Sequence, residues 1–152
     1  MDSDVVVFGG TPGGIAAAVR TAREGLATEL VAASDHLGGC LPSLGGMETL
    51  YQRPRAPVVD EVTEGIREHY RSTYGADSPQ FETCTADHVS FEPHVAEEVL
   101  EAVVAAEDSL TVRRGYRLAS VERDGDELRA VRVRSVDGGD RVRGAAATFV
   151  DA

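Results

Sequence analysis

The chain has 152 residues, with 15 basic side chains, every one an arginine, against 26 acidic ones, for a net charge of 15 − 26 = −11. That length suits one domain with a core large enough to fold, and that charge excludes a nucleic-acid binder, whose partner phosphates call for a basic surface. No run approaches the ~20 apolar residues of a membrane span, and the acidic start Met1-Asp2-Ser3-Asp4 lacks the positive opening of a secretory signal; a soluble cytoplasmic protein is expected.

An acidic, lysine-free surface is typical of proteins that work in high salt, although a GC-rich genome also favours arginine and alanine. At 1 M salt the Debye length falls to about 3 Å, so any phosphate ligand has to be held locally rather than steered from a distance. Cys40 and Cys84 lie far apart and form no C-x-x-C. They read as two free thiols, with neither a zinc site nor a disulfide framework.

In chain order, Val5–Phe8 is a short β-branched run that suits a buried strand. It enters the glycine-rich turn Gly9-Gly10-Thr11-Pro12-Gly13-Gly14 and leaves as the small-residue helix Ile15-Ala16-Ala17-Ala18. Gly9 allows the sharp turn, Pro12 sits where its missing N–H costs least, and Gly14 lets helix and strand approach closely. The N–H groups of the first helical turn, with the positive end of the helix dipole behind them, then face a diphosphate. The usual dinucleotide fingerprint G-x-G-x-x-G has a middle glycine, and Thr11 stands in its place. The helix is expected to run to Arg23 or Glu24 and to stop at Gly25. Thr28–Val31 follows as a second strand, parallel to the first through a right-handed crossover.

Residues 36–46 hold the pairs Gly38-Gly39 and Gly45-Gly46. They read either as a plain connection or as a second phosphate-facing loop, and their closeness to the first turn favours the loop. Pro54–Pro57 breaks the chain. Val58–Tyr74 reads as an amphipathic helix with Val59, Val62, Ile66, His69 and Tyr70 on one face; residues 76–92 read as irregular. Pro93 opens a further helix with Val95, Val99, Leu100, Val103 and Val104 inward. The period then changes to two. Leu110–Arg113 is a third strand, Leu118–Arg123 and Leu128–Val136 form a hairpin around Asp124-Gly125-Asp126, Arg141–Arg143 returns, and Ala145–Val150 is a last strand. The expected fold is α/β: a Rossmann-like parallel sheet with helices on both faces, plus a three-stranded antiparallel β-meander.

This order, together with Phe8-Gly9-Gly10-Thr11-Pro12-Gly13-Gly14-Ile15, His36-Leu37-Gly38-Gly39, Phe91-Glu92-Pro93-His94 and Phe149-Val150-Asp151-Ala152, resembles the FAD-binding part of flavoproteins with two dinucleotide-binding domains. Within them it is similar to the FAD-dependent oxidoreductases of bacteria and archaea, a group in which threonine commonly replaces the middle glycine. The resemblance spans essentially the whole chain. It implies FAD as cofactor, with Gly9, Thr11, Pro12, Gly13 and Gly14 lining its pyrophosphate and Thr11 adding a hydroxyl. It also implies that Gly38, Gly39 and Cys40 lie along the ribityl and pyrophosphate region, and that Leu118 offers backbone groups to adenine.

The chain departs from that pattern in three places. The acid that binds the adenosine ribose is replaced by Ala32, which accepts no hydrogen bond, so Ser34 or Asp35 is expected to substitute from a shifted loop. Cys40 has no second cysteine nearby, which rules out dithiol chemistry. Members of the family continue past Phe149-Val150-Asp151-Ala152 into a substrate domain, so the chain is expected to be a fragment: one FAD/dinucleotide-binding domain over 1–152 with a helical insertion at about 41–92, completed by a missing C-terminal half or by a second copy. Among the histidines, His36 lies beside the candidate flavin region, His94 reads as a surface or capping residue, and His69 and His88 read as structural. No metal site and no catalytic residue is assigned. The leading reading is a flavin-dependent oxidoreductase of unknown small-molecule substrate. The alternative is a non-catalytic module that binds NAD or an ADP moiety, and a ligand-free Rossmann-like domain stands third.

Overall fold

The computed structural model describes residues 3–48, 56–86 and 88–152. In chain order the elements are β1 (Val5–Phe8), α1 (Pro12–Arg23), β2 (Thr28–Val31), α2 (Leu41–Leu44), β3 (Gly46–Glu48), α3 (Pro57–Tyr74), α4 (Pro79–Cys84), β4 (His88–Ser90), α5 (Pro93–Ala105), β5 (Leu110–Arg113), β6 (Tyr116–Asp124), β7 (Glu127–Ser135), β8 (Arg141–Ala145) and β9 (Thr148–Asp151). They divide into two compact units, residues 1–37 with 104–152, and residues 38–103.

The first unit carries a four-stranded sheet in the order β5-β2-β1-β9. All three of its pairings are parallel. Parallel strands are covered on both faces, which is why β1 is a continuous apolar run and all four residues of β2 are buried, with Val6, Val7 and Leu30 fully so. Side chains alternate across a strand. α1 packs on β1 and β2 through its buried stripe Ile15, Ala18, Val19 and Ala22. On the opposite face, Val6 and Val31 meet Val133 of β7, with Phe8, Tyr116, Val142 and Phe149 packed around them. The antiparallel meander β6-β7-β8 therefore supplies core to the parallel sheet. The expected α/β class, parallel sheet plus meander, is the one found.

One charge is taken inside this sheet. Glu29 of β2 has a side chain only 4% exposed, and Arg113 of β5 pairs with it. The same guanidinium stacks 5.4 Å over the Tyr116 ring.

In the second unit α3 begins at Pro57, and its buried residues are Val58, Val62, Thr63, Ile66 and Tyr70. Val59 is 37% exposed, contrary to expectation, because the inward face passes through Val58. Of the expected break at 54–57, residues 54 and 55 lie outside the described residues. The stretch expected to be irregular holds two elements. Ser78 caps α4, its Oγ accepting from Phe81 N at 3.1 Å, and β4 pairs antiparallel with β3. Tyr70 ties α3 to the segment before α5: its hydroxyl donates to Glu92 Oε2 at 2.8 Å and accepts from Glu92 N at 2.9 Å. Burial is the main cause that pushes the Tyr70 pKa up to about 12, and the neighbouring Glu92 carboxylate adds to it.

Candidate functional site

The site is the junction of β1 and α1. Thr11 caps α1 in extended conformation, its Oγ1 accepting from Gly14 N at 3.1 Å. Threonine is a preferred cap because its oxygen satisfies one of the N–H groups that a helix start leaves without a carbonyl. Pro12 follows with no N–H to satisfy. Ile15 N already donates to Thr11 O at 2.9 Å. The first turn thus retains the Gly13 N–H, which has no partner among the described residues, and the Thr11 hydroxyl hydrogen. Both sit at the positive end of the α1 dipole, and no acidic residue lies in that turn.

The glycines of this turn divide into two kinds. A Cβ on Gly9 would lie 2.0 Å from Ala152 O, and one on Gly14 would lie 2.0 Å from Gly9 O. Both are required by the fold, because the ends of β1, β9 and α1 converge there. A Cβ on Gly13 would meet nothing nearer than Thr11 Oγ1 at 3.8 Å, so no protein contact demands a glycine at that position. The bare surface over Gly13, beside two unspent donors and the helix dipole, has the shape and polarity that a phosphate fills. FAD, through its pyrophosphate, fits these residues.

Ala32, at the end of β2, is 1% exposed, and a Cβ on Gly10 would sit 3.0 Å from its methyl and 3.1 Å from Leu37 Cδ2. The methyl is thus packed beneath the turn, with no polar atom toward a ribose. Beyond it Ser34 Oγ accepts from His36 N at 3.0 Å, and Arg114 donates to Asp35 O at 2.8 Å, which fastens the loop to the β5–β6 corner. Ser34 and Asp35 are both exposed, so their side-chain oxygens stand in solvent just after Ala32.

Gly38, Gly39 and Cys40 belong to the second unit. Gly38 O accepts from Leu41 N at 3.0 Å, and a Cβ on Gly38 would come 2.5 Å from Leu100 Cδ1, so packing within that unit already requires this glycine. Cys40 is exposed and Cys84 is buried; both are free thiols, and burial pushes the Cys84 thiol pKa up. Leu118 lies on β6, 47% exposed. His94 is exposed at the start of α5, its ring 6.2 Å from that of His69. Among the described residues no three His, Cys, Asp or Glu side chains gather to hold a metal, and no helix is long and apolar enough to cross a membrane. Sequence reasoning passed over Gly10, whose need for a small side chain comes from a contact across β2 that no local pattern announces.

Solved structures share this architecture. The chain matches a myxobacterial chondrochloren halogenase, described as FAD-dependent, at 17% identity and a TM-score of 0.62, covering 100% of this chain and 37% of that one. It matches an anhydrotetracycline hydroxylase from Streptomyces rimosus at 19% identity and a TM-score of 0.62, covering 100% and 31%. A geranylgeranyl bacteriochlorophyll reductase-like protein from Thermoplasma acidophilum matches at 17% identity and a TM-score of 0.62, covering 100% and 39%. These likenesses define the fold as a Rossmann-like α/β domain, and the chain spans only about a third of the length of those three proteins. No curated protein matches it. Residues 4–152 match the family model described as FAD dependent oxidoreductase, and the chain belongs to that family.

Proposed function

We propose that this chain is the FAD-binding domain of a flavin-dependent oxidoreductase that acts on a small molecule. The observation that carries the proposal is the bare surface over Gly13, with only Thr11 Oγ1 within 4 Å of an added Cβ, at a helix start whose remaining donors are the Gly13 N–H and the Thr11 hydroxyl. Gly9 and Gly14 keep β1 and α1 close enough for those donors to converge. Ser34 and Asp35 take the ribose hydroxyls in place of the missing acid at Ala32. Gly38, Gly39 and Cys40 border the middle of the cofactor, and the Leu118 backbone meets adenine. When bound, FAD supplies hydride and electron chemistry. The chain's own contribution is to bind, to orient and to neutralise phosphate charge with fixed dipoles rather than with cationic side chains.

Residues 1–152 form one dinucleotide-binding domain, with a helical insertion at about 41–92. The substrate site is supplied by further sequence or by another copy, and the protein works in the cytoplasm. Purified protein mixed with FAD and passed through a desalting column should retain the flavin's visible absorbance in a one-to-one ratio. Colourless protein would overturn the reading.

The buried Ala32 favours a second reading, a non-catalytic module that holds NAD or an ADP moiety. Thermal stabilisation by ADP equal to that by FAD would support it.

A further inference from the structure

We propose that the outer face of the β6-β7-β8 meander binds a second, multiply charged phosphate anion, at a site distinct from the α1 N-terminus. Residues directly opposite one another in a sheet share a face. The register aligns Leu118, Val133 and Val142 in one row and Arg117, Arg134 and Arg141 in the next. Val133 and Val142 pack against the parallel sheet, so the arginine row faces away from it. The following outward row is Ser120, Arg132 and Arg143.

Five arginines thus share one small face of a chain whose net charge is −11. Glu122 pairs with Arg132 and Arg143. Arg117, Arg134 and Arg141 have no carboxylate in ion-pair reach among the described residues. Like charges placed directly opposite across strands are destabilising, and the chain has 26 acids with which to separate them. The row therefore calls for an anion from outside.

Two further observations point to a ligand. Arg134 Nε is buried with no hydrogen-bond partner among the described residues, and a buried charged donor left unsatisfied is costly. A cavity of about 470 Å³ opens there, lined by Arg117, Ser120, Arg132, Arg134 and Arg141 among others, a volume that suits a small ligand. The register shift between Leu118 and Ser120 adds the extra residue Ala119 to β6, and such bulges bend the strand and increase its twist. Facing residues on neighbouring strands lie about 4.5–5.5 Å apart, so the three guanidiniums of the row can close on one group. A single carboxylate is satisfied by one bidentate arginine. Three converging forks instead match the several oxygens and the higher charge of a phosphate.

The test is calorimetric titration of inorganic pyrophosphate into the full chain carrying Gly13→Ala, which weakens the α1 site. Saturable binding is expected, weakened at least about tenfold by adding Arg134→Gln and Arg141→Gln, while FAD binding by the two arginine variants in the parent chain is unchanged. Arg117→Gln, an exposed position, carries the same comparison if the double variant fails to fold. The proposal is overturned if pyrophosphate does not bind, if it binds equally well without these arginines, or if citrate and sodium chloride at matched ionic strength give the same response.

Discussion

Replacing Gly13 by alanine separates binding from folding. The new methyl has no protein atom closer than Thr11 Oγ1 at 3.8 Å, and Gly13 lies inside α1. The substitution should therefore stabilise the ligand-free chain by about 0.4–1 kcal/mol, through the reduced freedom of the unfolded state. For a chain of this size that raises Tm by about 1–4 °C. The same methyl occupies the surface on which the pyrophosphate is to rest and takes away access to the Gly13 N–H. Loss of one hydrogen bond to a charged group costs about 1.5–3 kcal/mol, so FAD affinity should fall at least about tenfold. Gly14→Ala is the contrast. Its methyl would lie 2.0 Å from Gly9 O and 3.3 Å from Ala152 Cβ, an overpacking that costs about 1–3 kcal/mol before any ligand is added. Thermal melts with and without FAD, beside a flavin fluorescence titration, read both effects. A Gly13→Ala chain that binds FAD as the parent does, or that melts lower, would refute the reasoning.

Three further outcomes are expected. Arg113→Ala leaves the buried Glu29 carboxylate without its partner and should destabilise the chain by about 3–5 kcal/mol, whereas replacing both residues with methionine should be close to neutral; urea denaturation distinguishes the two. The Tyr70 pKa, raised from 10.0 to about 12 in the folded chain, means that the folded state holds its proton longer than the unfolded one. The resulting stability is complete below pH 10.0 and is lost between pH 10.0 and about pH 12. Tyr70→Phe should cost about 1 kcal/mol at neutral pH and remove that alkaline dependence in pH-resolved melts. Ala32→Glu restores the acid that the ribose calls for and should tighten FAD binding by about 1.5–3 kcal/mol, measured by the same fluorescence titration; unchanged affinity would place the ribose elsewhere.

The parts of the fold that local chemistry determines were legible in the sequence. The β-branched run, the Thr11-Pro12 cap and the small-residue helix lead to β1 and α1 with the expected bounds, and the change to a period of two leads to the meander. The parts that depend on distant partners were not. α4 is only six residues long, held by the Ser78 cap, and β4 is three residues whose partner β3 lies about forty positions earlier, so neither leaves a periodic trace. Val59 was misplaced because an 18-residue helix that starts at Pro57 turns a neighbouring valine inward. At the site, the missing acid at Ala32 was legible as a residue type, but its packing under Gly10 was not. The arginine row was hidden for the same reason: Arg117 and Arg141 are 24 positions apart and become neighbours of Arg134 only through the strand register.

The most direct measurement is the response of individual amide resonances to FAD in the isotopically labelled full chain. On saturation the Gly13 N–H should shift strongly, as a donor gaining a phosphate oxygen, while the Gly14 N–H, already held by Thr11 Oγ1 at 3.1 Å, should move less. A chain that saturates with FAD while the Gly13 amide stays in place would contradict it.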